Sequence, residues 1–143
     1  MTGPARPAPP ETLDDDPPVR TAMSRRVVAI DAAAPLRTAL RLMTAGDVRH
    51  LPVIRGDRCV GMVAEVDLLR GLAAVRGPLG TARLTVDDVL RPVPVVSPET
   101  SLRSAAALMD AERVDALLIG TPDALTGIVT ATDLVHAIAA RPR

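Results

Sequence analysis

The stretch Gly61–Asp67, GMVAEVD, returns as Gly127–Asp133, GIVTATD. The echo is not local. Sliding the chain along itself by 66 residues sets Leu36-Arg37 on Leu102-Arg103, Ala39 on Ala105, Leu42-Met43 on Leu108-Met109, Val48 on Val114, and Asp67-Leu68 on Asp133-Leu134. About 43 positions align without a gap and about a third of them are identical, which marks a duplication. A unit of about 55 residues buries little surface and would be marginal alone. The two copies are therefore expected to share one core.

Both copies have the same local grammar. A short apolar run opens each, Val27-Val28-Ala29-Ile30 or Val93-Pro94-Val95-Val96, and reads as a strand, with Pro94 confining the second to a sheet edge or bulge. A helix follows. Leu36, Ala39, Leu40 and Met43, and likewise Leu102, Ala105, Ala106 and Met109, recur with the spacing of one apolar stripe. Two further strands are joined by tight turns, Leu51–Ile54 to Cys59–Val63 through Arg55-Gly56-Asp57-Arg58, and Leu117–Ile119 to Leu125–Val129 through Thr121-Pro122-Asp123. A last helix starts near Glu65 or Ala131 and is expected to stop at Gly71 or by Pro142. The fold class is thus mixed α/β (α+β), two pseudo-symmetric β-α-β-β-α repeats.

Residues 1–18 hold six prolines and the cluster Asp14-Asp15-Asp16, with little to bury, and are expected to be a disordered tail. The first repeat is read as 19–75, the connector, with Gly77-Pro78 and Gly80, as 76–83, and the second repeat as 84–141.

Composition removes several functions. With no Phe, Tyr or Trp, stacking of one of these rings on a ligand is excluded. The 17 basic residues, all arginine, balance 17 acidic ones and are scattered, so nucleic-acid binding is not expected. One cysteine, Cys59, excludes an intrachain disulfide and paired-cysteine metal sites, and as a free thiol among apolar neighbours it reads as core. His50 and His136 have no metal-ligand spacing, and no acid/base pair repeats in a form that suggests an enzyme. No apolar run is long enough to span a bilayer, and the first residues, MTGPARPAPP, lack a signal peptide's apolar stretch. A cytoplasmic protein without membrane contact is expected.

The closing G-h-x-T-x-x-D motif, His50-Leu51-Pro52-Val53 on the second strand and the Leu-x-x-Ala-x-x-Leu-Met helix resemble a tandem pair of cystathionine-beta-synthase (CBS) domains, from about Val19 to Ala140. The resemblance implies a stand-alone, non-catalytic regulatory module. It further implies clefts between the repeats for an adenosine-containing ligand (AMP, ADP, ATP, S-adenosylmethionine or a dinucleotide), a homodimer, and a protein partner whose identity the sequence does not give. No other cofactor is expected. In similar domains the threonine meets a phosphate, the aspartate accepts from the ribose hydroxyls, the first strand lines the base, and basic residues start the second strand. Carried onto this chain, these roles fall to Thr130 and Asp133; to Asp67, whose copy has Ala64 in place of the threonine; to Val28, Ala29, Val95 and Val96, with a backbone group freed by Pro94 for the adenine edge; and to Arg49 and His50.

A strand that gives way to a helix at Thr130 leaves backbone N–H groups at the positive helix end, a ready anion site. Thr-x-x-Asp at a helix start is equally the pattern of a capping box, and Asp67 is equally explained by the helix dipole. Arg25-Arg26 could reach a phosphate. Because only the second copy has both hydroxyl and carboxylate, unequal clefts are expected. The alternative is a module whose clefts stay empty and whose role is dimerisation or protein interaction.

Overall fold

The computed structural model describes residues 16–74 and 84–140. The first copy runs β1 (Ile30–Asp31), α1 (Leu36–Gly46), β2 (His50–Arg55), β3 (Arg58–Ala64) and α2 (Glu65–Ala74). The second runs β4 (Val95–Val96), α3 (Leu102–Glu112), β5 (Ala116–Thr121), β6 (Ala124–Thr130) and α4 (Ala131–Ala139). Each makes a three-stranded sheet, ordered β1-β2-β3 or β4-β5-β6, with the first pair parallel and the second antiparallel. The register repeats as the sequence does: Ile30 partners Val53, and Val96 partners Ile119.

The helix stripe falls where the spacing predicts it, burying Leu36, Ala39 and Met43 on α1 and Leu102, Ala105 and Met109 on α3; Ala106, part of the expected stripe, is exposed. Two expectations need correction. The opening strands contract to two residues each, because the chain before them is committed elsewhere. Nor does α2 stop at Gly71. A Cβ there would lie 3.0 Å from Val89 Cγ1 and 3.2 Å from Leu36 Cδ1, so this glycine answers to close packing, and the helix continues to Ala74.

What precedes each opening strand crosses to the other repeat. A 3-10 turn at Val19–Thr21 buries Val19 in the second core, against Leu102, Leu117, Ile119, Val129 and Leu134. Its counterpart at Val86–Asp88 buries Val86 in the first core, against Leu36, Leu51, Val53, Val63 and Leu68. Beyond these turns, Ser24 and Ile128 exchange backbone hydrogen bonds of 2.8 and 3.0 Å, and Arg91 and Met62 exchange bonds of 2.8 and 2.9 Å. The crossing explains the repeated glycine. A Cβ on Gly61 would stand 2.5 Å from the Arg91 carbonyl oxygen, and one on Gly127 would stand 2.8 Å from that of Ser24.

Between the sheets lies a third apolar cluster of Cys59, Met62, Ala116, Leu118 and Ile128, and the Cys59 N–H donates across the repeats to the Pro122 carbonyl at 3.0 Å. Burial pushes the Cys59 thiol pKa up, against smaller opposing effects of the backbone near Gly61 and Val53; it is a core residue and a poor nucleophile. The last three residues of the expected tail are not free. Asp16 Oδ1 accepts from the Arg103 N–H at 3.0 Å and the Pro17 carbonyl from the Leu102 N–H at 2.9 Å, so they satisfy donors that the start of α3 would otherwise leave open. Residues 1–15 and the connector at 76–83 lie outside the described residues. Among those described, no helix is long and apolar enough to cross a membrane.

The crossing makes a measurable demand. Gly61→Ala should destabilise the protein by about 1–3 kcal/mol, as overpacking against backbone does. Gly46→Ala, in a helix with only a 3.7 Å side-chain neighbour, should be neutral or stabilise by up to about 1 kcal/mol. Thermal denaturation of the two variants gives the comparison, and equal melting temperatures would contradict the close-approach account.

Candidate functional site

The repeat creates two clefts, each built from the start of one copy's last helix and the loop before the other copy's second strand. The first, of about 350 Å³, brings Thr130, Ala131, Thr132 and Asp133 of the second repeat to Asp47, Val48, Arg49 and His50 of the first. Ser24, Arg26, Val28, Asp115 and Ile128 complete it. The second, of about 410 Å³, sets Ala64, Val66, Asp67 and Arg70 opposite Arg113, Val114 and Asp115, with Met62, Arg91 and Val93.

At the start of α4, Thr130 Oγ1 accepts from the Asp133 N–H at 3.1 Å, and Asp133 Oδ2 accepts from the Thr130 N–H at 2.9 Å. This is a complete capping box. The Ala131 N–H is also taken, by the Asp115 carbonyl at 2.8 Å. The helix start is therefore less open than its sequence suggests, and the Thr132 N–H and hydroxyl together with Asp133 Oδ1 are the polar groups it has left, none bonded to a described residue.

The matching position in the first repeat is arranged differently. Without a hydroxyl at Ala64 there is no side-chain cap, and the Ala64 N–H reaches Asp67 Oδ2 at a long 3.4 Å. Asp67 is 8% exposed. Its Oδ1 accepts from Arg91 Nε at 3.0 Å and lies 2.8 Å from Arg91 Nη2. A carboxylate so buried needs a cation, and the crossing segment supplies it. Asp67 is thereby engaged within the protein, whereas Asp133 has no ionic partner among the described residues.

His50 lines the first cleft with its side chain 16% exposed, and its Nε2 lies 3.2 Å from Asp115 Oδ1 of the other repeat. Arg49 extends into solvent, 3.3 Å from Glu65. The first-strand residues do not gather as a set. Val28 lines the first cleft; Val95 packs between the sheets and Val96 on the second core; Ala29 is exposed and lines neither cleft.

Nor does Pro94 free a backbone group for a ligand: its carbonyl accepts from the Leu118 N–H at 3.1 Å. The freed group sits in the other copy. Under the 66-residue shift Leu118 corresponds to Pro52 and Pro94 to Val28. Pro52 has no N–H to give, and the Val28 carbonyl accepts no backbone hydrogen bond among the described residues. Sequence reading missed this acceptor, although the proline opposite a leucine was its signal. Ser24 and Asp47 were missed as well, because nothing local marks a loop residue as lining a cleft formed by distant segments.

Comparison with known proteins agrees with this architecture. The chain belongs to the CBS domain family, whose model matches residues 19–74 and 86–140. It is a pair of CBS domains, a regulatory module. It is 27% identical over 117 residues to the inosine-5'-monophosphate dehydrogenase of Thermoplasma acidophilum, a match that covers 80% of this chain and 22% of the enzyme. Among solved structures, a Burkholderia ambifaria protein with CBS domains shares 26% identity at a TM-score of 0.70, covering 83% of this chain and 88% of that one. The CBS domain of a bacterial CNNM/CorC family Mg²⁺ transporter, in complex with ATP, has the same fold at 24% identity and a TM-score of 0.76, covering 92% and 94% of the two chains.

The asymmetry of the two aspartates can be measured by denaturation of single and double variants. Asp67→Ala and Arg91→Ala, combined in a double-mutant cycle, should give a coupling of about 0.5–3 kcal/mol, as residues in direct contact do. Arg20→Ala with Glu99→Ala, an exposed pair, should couple by about 1 kcal/mol or less. Equal coupling in both cycles would mean that Asp67 is not held as described.

Proposed function

We propose that the chain is a cytoplasmic, non-catalytic module that binds an adenosine-containing ligand of the AMP, ADP or ATP class in the first cleft and signals its presence to a protein partner. One observation carries this reading: a single cavity gathers the Thr130–Asp133 helix start, Arg26, Arg49, His50 and Val28, whose carbonyl accepts no backbone hydrogen bond among the described residues. These groups have the chemistry such a ligand needs. Asp133 Oδ1 can accept from a ribose hydroxyl without breaking the capping box, and the Thr132 N–H and the basic side chains suit a phosphate. The Val28 carbonyl suits an exocyclic amine, and Val28, Val48 and Ile128 offer aliphatic walls to a base. The second cleft, with Asp67 engaged by Arg91, is not a comparable ribose site. A ligand held between the repeats shifts the module's conformation only through its differential affinity for the two states.

Equilibrium dialysis of AMP and ATP against the purified protein tests this. A charged hydrogen bond contributes about 1.5–3 kcal/mol, so Asp133→Ala should weaken binding about ten- to a hundredfold, and Asp67→Ala much less. No saturable uptake at millimolar nucleotide would overturn the reading.

A second reading, a dimerisation or protein-interaction scaffold, has its own support. Val66 and Leu69 on α2 are 48% and 51% exposed, and Val135 and Ile138 on α4 are 62% and 61% exposed, so the last helix of each copy presents apolar residues to solvent. A homodimer formed through these helices would cover them. Sedimentation equilibrium should then report a dimer that Val135→Glu or Leu69→Glu converts to monomer; a wild-type monomer at high micromolar concentration would count against it.

A further inference from the structure

The second cleft is not simply a faded copy of the first. The first sets Arg26, Arg49 and His50 against three aspartates, Asp47, Asp115 and Asp133. The second sets Arg70, Arg91 and Arg113 against two, Asp67 and Asp115. Both of those acids are already partnered, Asp67 by Arg91 at 2.8 Å and Asp115 by His50 at 3.2 Å. Among the described residues neither Arg70 nor Arg113 pairs with a carboxylate. Two guanidinium groups lining one cavity leave a positive field that a multiply charged oxyanion would neutralise, and their forked donors match its geometry.

An independent feature concerns the same residue. Arg113 follows α3 in the left-handed conformation, with φ 55°, where glycine is easily accommodated and an ordinary side chain costs free energy. The matching residue of the first repeat, Asp47, has φ 52°, so the backbone bend belongs to the fold while the side chain differs. Aspartate tolerates this conformation; arginine has no local hydrogen bond to compensate for it. The chain keeps a strained arginine where it lines the cavity, the kind of outlier that marks function. The groups suited to a nucleoside are lacking there: Ala64 has no hydroxyl and Asp67 is buried against Arg91.

We propose that the second cleft binds a small polyphosphate-type oxyanion through Arg70 and Arg113, without contact to a nucleoside. This does not depend on what the first cleft binds.

Calorimetric titration with pyrophosphate tests it, with ADP as a second probe to separate a free polyphosphate from the phosphate tail of a nucleotide. Pyrophosphate should bind saturably, and Arg41→Gln, at an exposed arginine of α1 that lines neither cleft, should leave that binding unchanged. Arg70→Gln and Arg113→Gly should each weaken it tenfold or more. Because glycine suits the left-handed backbone, Arg113→Gly should keep or raise the melting temperature, which separates lost binding from lost folding. At the site that Arg113→Gly removes, ADP and pyrophosphate should bind within about threefold of each other, since no base or ribose contact distinguishes them. Absence of saturable binding at millimolar pyrophosphate, unchanged affinity in Arg113→Gly, a comparable loss of affinity in Arg41→Gln, or ADP bound tenfold tighter than pyrophosphate at the Arg113-dependent site would each overturn the proposal.

Discussion

Each repeat is completed by a piece of the other. Val19 fills the second core and Val86 the first, and the segments just after them, at Met23-Ser24 and Leu90-Arg91, lie against Gly127 and Gly61 so closely that no side chain fits. Two units that would each be marginal alone thus become one body through an exchange of backbone hydrogen bonds and of core residues. Everything functional inherits its position from this exchange. Ser24, Arg26 and Val28 enter the first cleft because their segment has just left the second repeat, and Arg91 reaches Asp67 because its segment has just left the first.

The same exchange makes the clefts unequal. Duplication alone would give two alike, yet single substitutions at matched positions are multiplied by what stands opposite them. Alanine for threonine at position 64 removes a cap, and Arg91 then matters more, because a buried carboxylate without a cation is costly. Serine occupies the corresponding crossing position, residue 24, and Asp133 keeps an oxygen open to the cavity. Asp115 borders both clefts and is joined to His50 across the repeat boundary, so a change in occupancy on one side meets a charged group that faces the other.

The capping box at Thr130 and Asp133 shows why the two readings of that motif do not exclude each other. One carboxylate oxygen fixes the helix start and the other accepts no hydrogen bond from a described residue. A residue already ordered by a structural bond loses less freedom when it meets a ligand, which is the thermodynamic value of preorganisation.

Self-similarity, period and turn chemistry were enough to determine the repeat, the order of its elements, the buried stripe on α1 and α3 and the aspartates at the helix starts, because all of these are local properties that a 66-residue shift or a 3.6-residue spacing makes visible. Only the tertiary structure decided that Gly61 and Gly127 accommodate a crossing backbone, that Asp67 is locked and Asp133 is not, that Pro52 and not Pro94 frees an acceptor, and that Val95 and Val96, half-buried, pack against the apolar clusters. Each of these depends on which distant segment arrives opposite a residue. That is set by the exchange between the copies, and no window of the chain contains both partners.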